Sequence, residues 1–380
     1  MEKIAIYGGS FDPVHIEHVR LANLAVEKLE LDRLIVMPTY LSPHKNSCLT
    51  SAQDRLNMLK LAFADNPKVT VSDYEINNGG TSYTYLTVEH FAKQVNGKLY
   101  FIVGADMLKD FKSWKYPQRI LGACTLACFG RSLSDCDFER EKEYFKNTFN
   151  ASFEQIDYVG SEISSTRARV YNWLGLDITA ITGEKVFEYI KKNQLYKGDK
   201  YAEFIKKSLP EKRLKHTANV ILTALCKAKE LGLDKQKVIL SAMLHDCAKY
   251  IDYKNVKGFV LPEGVPAPVV HSYLGEYIAR KVLGVTDSEV LDAICYHTSG
   301  KPNMSTLSKL IFVADMIEEG RDYLGVEKLR ELYYQGDFEN CFIECLKEEV
   351  LHLLNKKEYV YKLTLDAYDY YVKGDKGEKI

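Results

Sequence analysis

The sequence predicts two folds in series: a doubly wound α/β domain over residues 1–196 and an all-α domain over residues 201–380, joined by a short linker at 197–200. Strand-like and helix-like segments alternate through the first half, which is the pattern of βαβ units around a parallel sheet. After residue 196 a helical period of about 3.6 residues takes over. Between them stands KGDK, polar and glycine-containing. A chain of 380 residues also exceeds one ordinary core.

In the first half KIAIY (3–7) is a short β run, and residues 15–29 have helical periodicity. Residues 34–38 read as extended, 51–64 as helical, 68–76 as an alternating strand and 84–95 as a helix. Residues 98–103 form an apolar strand that runs into Gly-Ala-Asp. Further strands are expected at 125–129 and 155–159, and further helices at 165–174 and 184–192. Ligands of such a sheet bind beyond the carboxyl ends of the strands, at the point where strand order reverses. The second half reads as helices at 201–209, 211–231, 235–249, 273–283, 287–295, 305–318, 326–334 and 338–354. Residues 257–270, with three prolines and two glycines, read as a loop.

Charge and composition narrow the function. Lys+Arg total 51 against 52 Asp+Glu, a formal charge of -1, which argues against a protein built to coat nucleic acid or an anionic membrane. No stretch approaches the roughly 20 apolar residues of a membrane span, and MEKIAIYGGSFD begins directly on a strand rather than a leader. Nine cysteines without a CxxC pair read as free thiols, mostly buried, in a reducing compartment. The expected location is the cytoplasm and the expected partners are small nucleotides; the oligomeric state is left open.

GGSFDPVHIEH (8–18) follows a strand and opens a helix. Gly8, Gly9 and Ser10 let backbone amides approach a phosphate, and the helix start adds partial positive charge. His15 and His18, three apart, share one helical face at that end. Two solvent histidines on an ordinary strand–turn–helix is the bland alternative, disfavoured by Ser-Phe-Asp-Pro and the pairing together. The segment resembles the GG[ST]FDPxHxGH signature of the nucleotidyltransferases, specifically the bacterial nicotinate-nucleotide adenylyltransferases, whose domain is Rossmann-like. MPTYLSPHK, DRLNML, TSYTYLT, GADMLKDFKSWK and ISSTRAR follow in the family's order. The resemblance implies transfer of AMP from ATP to nicotinate mononucleotide, assisted by Mg2+. His15 and His18 would contact the ATP phosphates, and Lys45, Ser165, Thr166 and Arg169 the triphosphate and leaving pyrophosphate. Asp106 would hold the ribose, Thr84 the mononucleotide, and Trp114 would stack on the pyridine or serve only as a core aromatic. Glu17 stands where the family has Gly, either tolerated on the outer face of the helix or crowding the nucleotide. Ser42 replaces a Pro of the family's loop. Another small phosphate acceptor, such as phosphopantetheine, is the competing reading for this half.

The second half carries His216, His245-Asp246, His271, His297 and Asp315 on separate predicted segments. An aspartate within LIFVAD is costly to bury without a cation, and helical bundles build metal sites from such residues. A lone core histidine would need no such partner; five elements in the order H…HD…H…H…D are harder to dismiss. The order resembles the HD superfamily, and LKHTANV, AMLHDCAK, HSYLGEYIA, YHTSG and FVADMIEEGR resemble its YqeK branch. That resemblance implies an all-α HD-type fold, iron or another divalent transition metal on His216, His245, Asp246 and Asp315, and symmetrical hydrolysis of diadenosine tetraphosphate. Arg213, Lys249, His271, His297, Thr298 and Arg321 would then contact the substrate, the two histidines alternatively completing a second metal position. Hydrolysis of another nucleotide, such as (p)ppGpp, a mononucleotide or a cyclic dinucleotide, or nucleotide sensing without turnover, stays open on the residues alone.

Overall fold

The computed structural model describes residues 1–41, 48–130 and 138–374, with Asp106 described by its backbone only. They form two compact units: Met1–Arg169 with Asp177–Lys197, and Val170–Leu176 with Gly198–Ile380.

The first unit opens with β1 (Glu2–Gly9), α1 (Ile16–Lys28), β2 (Arg33–Pro38) and α2 (Ala52–Ala62). Next come β3 (Val69–Val71), α3 (Tyr74–Asn78), α4 (Thr84–Ala92), β4 (Gly97–Gly104), α5 (Ala105–Lys109) and α6 (Pro117–Ala123). It continues through β5 (Thr125–Gly130), α7 (Phe138–Phe149), β6 (Phe153–Asp157) and the start of α8 (Ser165–Trp173), then α9 (Thr179–Thr182) and α10 (Glu184–Lys192). The six strands lie in the order β3-β2-β1-β4-β5-β6 and every pairing is parallel, a doubly wound α/β sheet. Strand order therefore reverses between β1 and β4. Gly8 and Gly9 end one of these strands and Gly104 the other, so both glycine ends open at the switch point. Ile4, Ile6, Phe101, Val103, Leu126 and Phe145 are buried in a core beside this sheet.

Two local expectations change. The strand expected over 68–76 is only Val69–Val71, and Tyr74–Asn78 is helical. Ser72 explains the break: its hydroxyl accepts from the Tyr74 amide at 3.2 Å, and Asn77 N donates to Asp73 O at 2.9 Å, so the polar pair turns the chain. Glu17 is buried, 7% exposed, rather than on an outer face. Helices α6 and α7 were not among the expected elements.

The second unit is helical throughout its described residues: α11 (Lys200–Ser208), α12 (Glu211–Ala228), α13 (Lys235–Leu244), α14 (Val270–Lys281), α15 (Ser288–Tyr296), α16 (Thr306–Ile317), α17 (Val326–Gln335), α18 (Phe338–Asn355) and α19 (Lys362–Tyr368). Its core gathers Val220, Leu244, Ile294, Ile311, Phe312 and Phe342, together with Val170, Leu174 and Leu176. Helix α13 ends earlier than the expected 249: Cys247 N bonds to Leu244 O and Lys249 N to Asp246 O, three-residue turns that replace the α pattern just where His245 and Asp246 stand. No helix of the described residues is long and apolar enough to cross a membrane. Six described cysteines are buried, Cys48 is half-buried and Cys226 exposed.

Candidate functional sites

In the first unit the glycine turn after β1 lines a cavity of about 500 Å³, together with His18, Glu75, Ser82, Thr84 and Trp114. Its floor is supported from below. Arg55, almost fully buried, donates from Nη1 to Ser10 O at 2.8 Å and from Nη2 to Tyr40 O at 3.2 Å. The Asp12 carboxylate accepts from the Tyr196 hydroxyl at 2.6 Å, the Thr50 hydroxyl at 2.7 Å and the Leu49 amide at 2.7 Å. The loop is thus pinned by groups distant in sequence, so its amides need not reorganise when an anion arrives.

His15 and His18 stack, ring centroids 3.6 Å apart. The His15 backbone N–H donates to His18 Nδ1 at 3.2 Å, which leaves the His18 proton on Nε2, the form that donates to a phosphate oxygen. His15 is more deeply placed, and burial pushes it down to about 4. The start of α8 meets the same loop: the Ser165 hydroxyl donates to Pro13 O at 2.8 Å, Arg169 Nη1 to Asp12 O at 2.5 Å and Nη2 to the Thr166 hydroxyl at 3.1 Å. Ser164 caps this helix by accepting from the Arg167 amide. The first and last motifs, some 150 residues apart, therefore converge beside the cavity.

Trp114 is 7% exposed and packs against Phe101 and Phe111 while still lining the cavity. Core packing and a place on the cavity wall are both present. Lys45 and the Asp106 side chain lie outside the described residues; the Asp106 backbone sits in α5, just beyond β4. Glu75, Arg55, Asp12 and Tyr196 were not singled out from the sequence. Glu75 is buried on the cavity wall, accepts from the Thr87 hydroxyl at 2.6 Å and has Oε2 unpartnered; burial raises its pKa.

In the second unit all the histidines and aspartates anticipated on the separate helices converge. His216 Nε2 lies 3.0 Å from Asp315 Oδ1, 3.3 Å from His245 Nε2 and 3.9 Å from Asp246 Oδ2. His245 Nε2 is 3.6 Å from Asp246 Oδ2 and 4.0 Å from Asp315 Oδ1. The other Asp246 oxygen, Oδ1, faces His271 Nε2 at 3.0 Å and His297 Nε2 at 3.6 Å. One carboxylate thus stands between two imidazole pairs.

Helix ends aim these rings. His245 and His297 are the C-caps of α13 and α15, and each donates Nδ1–H to the carbonyl three residues back, Ala242 O at 2.7 Å and Ile294 O at 2.8 Å. Those bonds satisfy carbonyls that a helix end leaves open and turn both Nε2 lone pairs inward. His216 donates Nδ1–H to Glu318 at 3.0 Å. Three bare Nε2 atoms facing carboxylate oxygens within about 4 Å repel unless a proton or cation intervenes. Asp246 Oδ1 is buried without a hydrogen-bond partner of good geometry. Burial pushes His245 down to about 3, so its lone pair stays available. Burial alone would raise the Asp246 and Asp315 carboxyls, but the surrounding imidazoles, with Arg321 at Asp315, outweigh it and hold both well below the usual range. Donor types, burial and convergence fit a divalent transition metal.

Cations and a hydroxyl rim this cluster. Arg213 Nη1 donates to Asp246 Oδ2 at 2.8 Å, Lys249 Nζ lies 3.6 Å from Asp246 Oδ1 and 3.1 Å from His271 Nε2, and Arg321 pairs with Asp315. The Thr298 hydroxyl is 3.1 Å from His297 Nε2 and 3.3 Å from His271 Nε2. Glu318 and Asn219, which support His216, were not anticipated.

The glycine-ended parallel sheet and the caged histidine–aspartate cluster define a nucleotidyltransferase unit followed by an HD domain: the cytidylyltransferase-like family matches residues 6–170 and the HD domain family residues 213–320. The chain belongs to the nicotinate-nucleotide adenylyltransferase family. It is 38% identical over 200 residues to a Clostridium tetani protein named "Probable nicotinate-nucleotide adenylyltransferase", covering 52% of this chain and 100% of the relative. A Mycoplasma genitalium protein named "Probable nicotinate-nucleotide adenylyltransferase/Ap4A hydrolase" is 29% identical over 329 residues, 84% of this chain and 88% of that one. A Clostridium acetobutylicum crystal structure described as a predicted HD superfamily hydrolase involved in NAD metabolism is 30% identical, covering 46% of this chain and 96% of its own, with a TM-score of 0.42.

Proposed function

We propose that the chain is a bifunctional cytoplasmic enzyme. Its transferase half, residues 1–196, moves AMP from ATP to nicotinate mononucleotide, giving deamido-NAD and pyrophosphate. Its phosphohydrolase half, residues 201–380, cleaves diadenosine tetraphosphate symmetrically to two ADP. The names of the Clostridium and Mycoplasma relatives support both assignments.

For the transferase, the convergence of the α8 start on the glycine loop carries the reading. A phosphate oxygen of the mononucleotide attacks the α-phosphorus of ATP, the bond to the bridging oxygen breaks, and pyrophosphate leaves with the electron pair. Positioning and charge neutralisation supply the catalysis. His18 donates from Nε2 to the transferring phosphate with His15 beneath it, and the Gly8, Gly9 and Ser10 amides support the same oxygens. Lys45, Ser165, Thr166 and Arg169 hold the triphosphate as its magnesium complex, and Asp106 holds the ribose. Thr84 meets the mononucleotide and Trp114 offers a ring face to the pyridine.

For the hydrolase, the four convergent ligands His216, His245, Asp246 and Asp315 carry the reading. These four residues would hold a divalent metal, iron among the candidates, which when bound would supply an activated water and polarise the phosphoryl group. Arg213, Lys249, His271, Thr298 and Arg321 supply donors along one rim for the polyphosphate oxygens, while His297, its Nδ1–H already given to Ile294 O, presents a lone pair suited to a second metal position.

One experiment tests both halves: product analysis of the intact chain with ATP plus each pyridine mononucleotide, then with diadenosine tetraphosphate. His18→Ala is expected to slow adenylyl transfer by about 100- to 1,000-fold and leave hydrolysis intact, and His245→Ala to do the reverse. AMP and ATP as hydrolysis products would overturn symmetrical cleavage. Equal loss of both activities in either variant would overturn the division of labour.

A further inference from the structure

His216 is gripped on both ring nitrogens by a single helical turn. Asp315 Oδ1 faces Nε2 at 3.0 Å, and Glu318 Oε1, three residues on, accepts from Nδ1 at 3.0 Å. Glu318 caps the end of α16 and is 3% exposed. Its carboxylate is held on the other oxygen, which accepts from Asn219 Nδ2 at 2.9 Å and from the Gly320 amide at 2.6 Å. Asn219 is fixed in turn, its Oδ1 accepting from the Tyr171 hydroxyl at 3.0 Å. Arg321 Nε stands 3.8 Å from Oε1. Gly320 leaves this carboxylate little room: a Cβ there would lie 3.0 Å from Glu318 Oε2 and 3.2 Å from Oε1, so the carboxylate would have to yield by a few tenths of an ångström.

We propose that Glu318 is a positioning residue that sets the tautomer, ring plane and basicity of His216 for cation binding, with Asn219 and Gly320 setting Glu318. The inference rests on the reading of His216 as a metal ligand. An ionised carboxylate on Nδ1 can only accept, so the imidazole proton is confined to that side and Nε2 presents its lone pair to Asp315, Asp246 and His245. The negative charge behind the ring also makes Nε2 a stronger donor, as carboxylates behind metal-bound imidazoles do. Because Asn219 and Gly320 occupy Oε2, only Oε1 remains for the imidazole, which selects one ring orientation. Glu318 lies on the Nδ1 side, with the ring between it and the cluster, and so acts through His216 rather than on the cation.

The test uses the full-length chain, stripped with chelator and titrated with Co2+. Affinity is read by chelator competition, ligand geometry by the visible absorption of bound Co2+, and stability by thermal melting with and without the ion. Glu318→Ala is expected to weaken Co2+ binding about 10- to 100-fold and shift the absorption bands. The rise in Tm on adding Co2+ should shrink while the metal-free Tm moves less. Glu318→Gln, which keeps an acceptor for Nδ1–H, is expected to recover part of the lost affinity. Wild-type affinity and spectrum in either folded variant would overturn the proposal. So would a metal-free Tm that falls as far as the metal-loaded one, since that marks a purely structural group. Failure of the unaltered chain to bind Co2+ would instead overturn the reading of the metal site.

Discussion

His15 shows how much a neighbour's chemistry depends on depth. The sequence places it one helical turn from His18 and suggests equivalent roles, yet burial separates them: His15 is pushed down to about 4, while His18 sits on the cavity wall. Between an unfolded value near 6.5 and that folded value, the unfolded chain takes up the extra proton. Stability contributed by neutral His15 is therefore full above pH 6.5 and is lost as pH falls toward 4, by up to about 3 kcal/mol. Melting curves of the intact chain and His15→Gln between pH 7 and pH 4.5 check this: the variant should lose less Tm on acidification, and parallel curves would refute it. Arg55 carries a signal legible in the sequence. DRLNML places a guanidinium among apolar residues at helical spacing, and such a charge is buried only when it has fixed acceptors, here Ser10 O and Tyr40 O.

At the scale of elements, helix ends decide more than helix bodies. Helices α13 and α15 both stop at a histidine whose Nδ1–H bonds back to the last turn, so termination and ligand orientation are one event. Periodicity finds the helix but not the residue where it unwinds, because apolar spacing continues through Ala248. Helix α13 begins as locally as it ends: Asp234 accepts from the Gln236 and Lys237 amides at 2.9 and 3.0 Å. Asp234→Ala should cost about 1 kcal/mol, measured as a lower midpoint for the second unit in urea; an unchanged midpoint would mean the start of α13 does not limit stability. Helix α7 has a readable signal, Phe138, Phe145 and Phe149 on one stripe of a charged segment, whereas β3 is shorter than its alternating pattern predicts. A strand on the sheet edge has a partner on one side only, and the Ser72–Asp73 turn was enough to end it.

Across the whole molecule, the consequential feature is where the second half of α8 packs. Ser165 and Arg169 bond the Asp12–Pro13 loop beside the first unit's cavity, yet Val170, Leu174 and Leu176, all buried, belong to the core of the helical unit. Residues 198–380 produced alone should therefore melt below the same unit in the intact chain, and a peptide of residues 165–177 added in trans should restore part of the loss. Leu174→Ala in the full chain is expected to cost roughly 2–5 kcal/mol through the cavity it leaves. Equal melting of the isolated and intact unit would show that these side chains add nothing.

Amino-acid order alone determined the fold class and both families, and named candidate residues for the two sites, because these depend on patterns local in sequence: a glycine turn after a strand, paired histidines on a helix, a His-Asp step after an apolar stretch. Tertiary structure alone decided which imidazole nitrogen faces inward, that Arg55, Asp12, Tyr196 and Glu318 hold the functional groups, and that α8 is shared between the units. Apolar spacing says that a side chain must leave water; it does not say which core receives it. Hydrogen bonds between residues 100 or more apart exist only once the chain has closed around them.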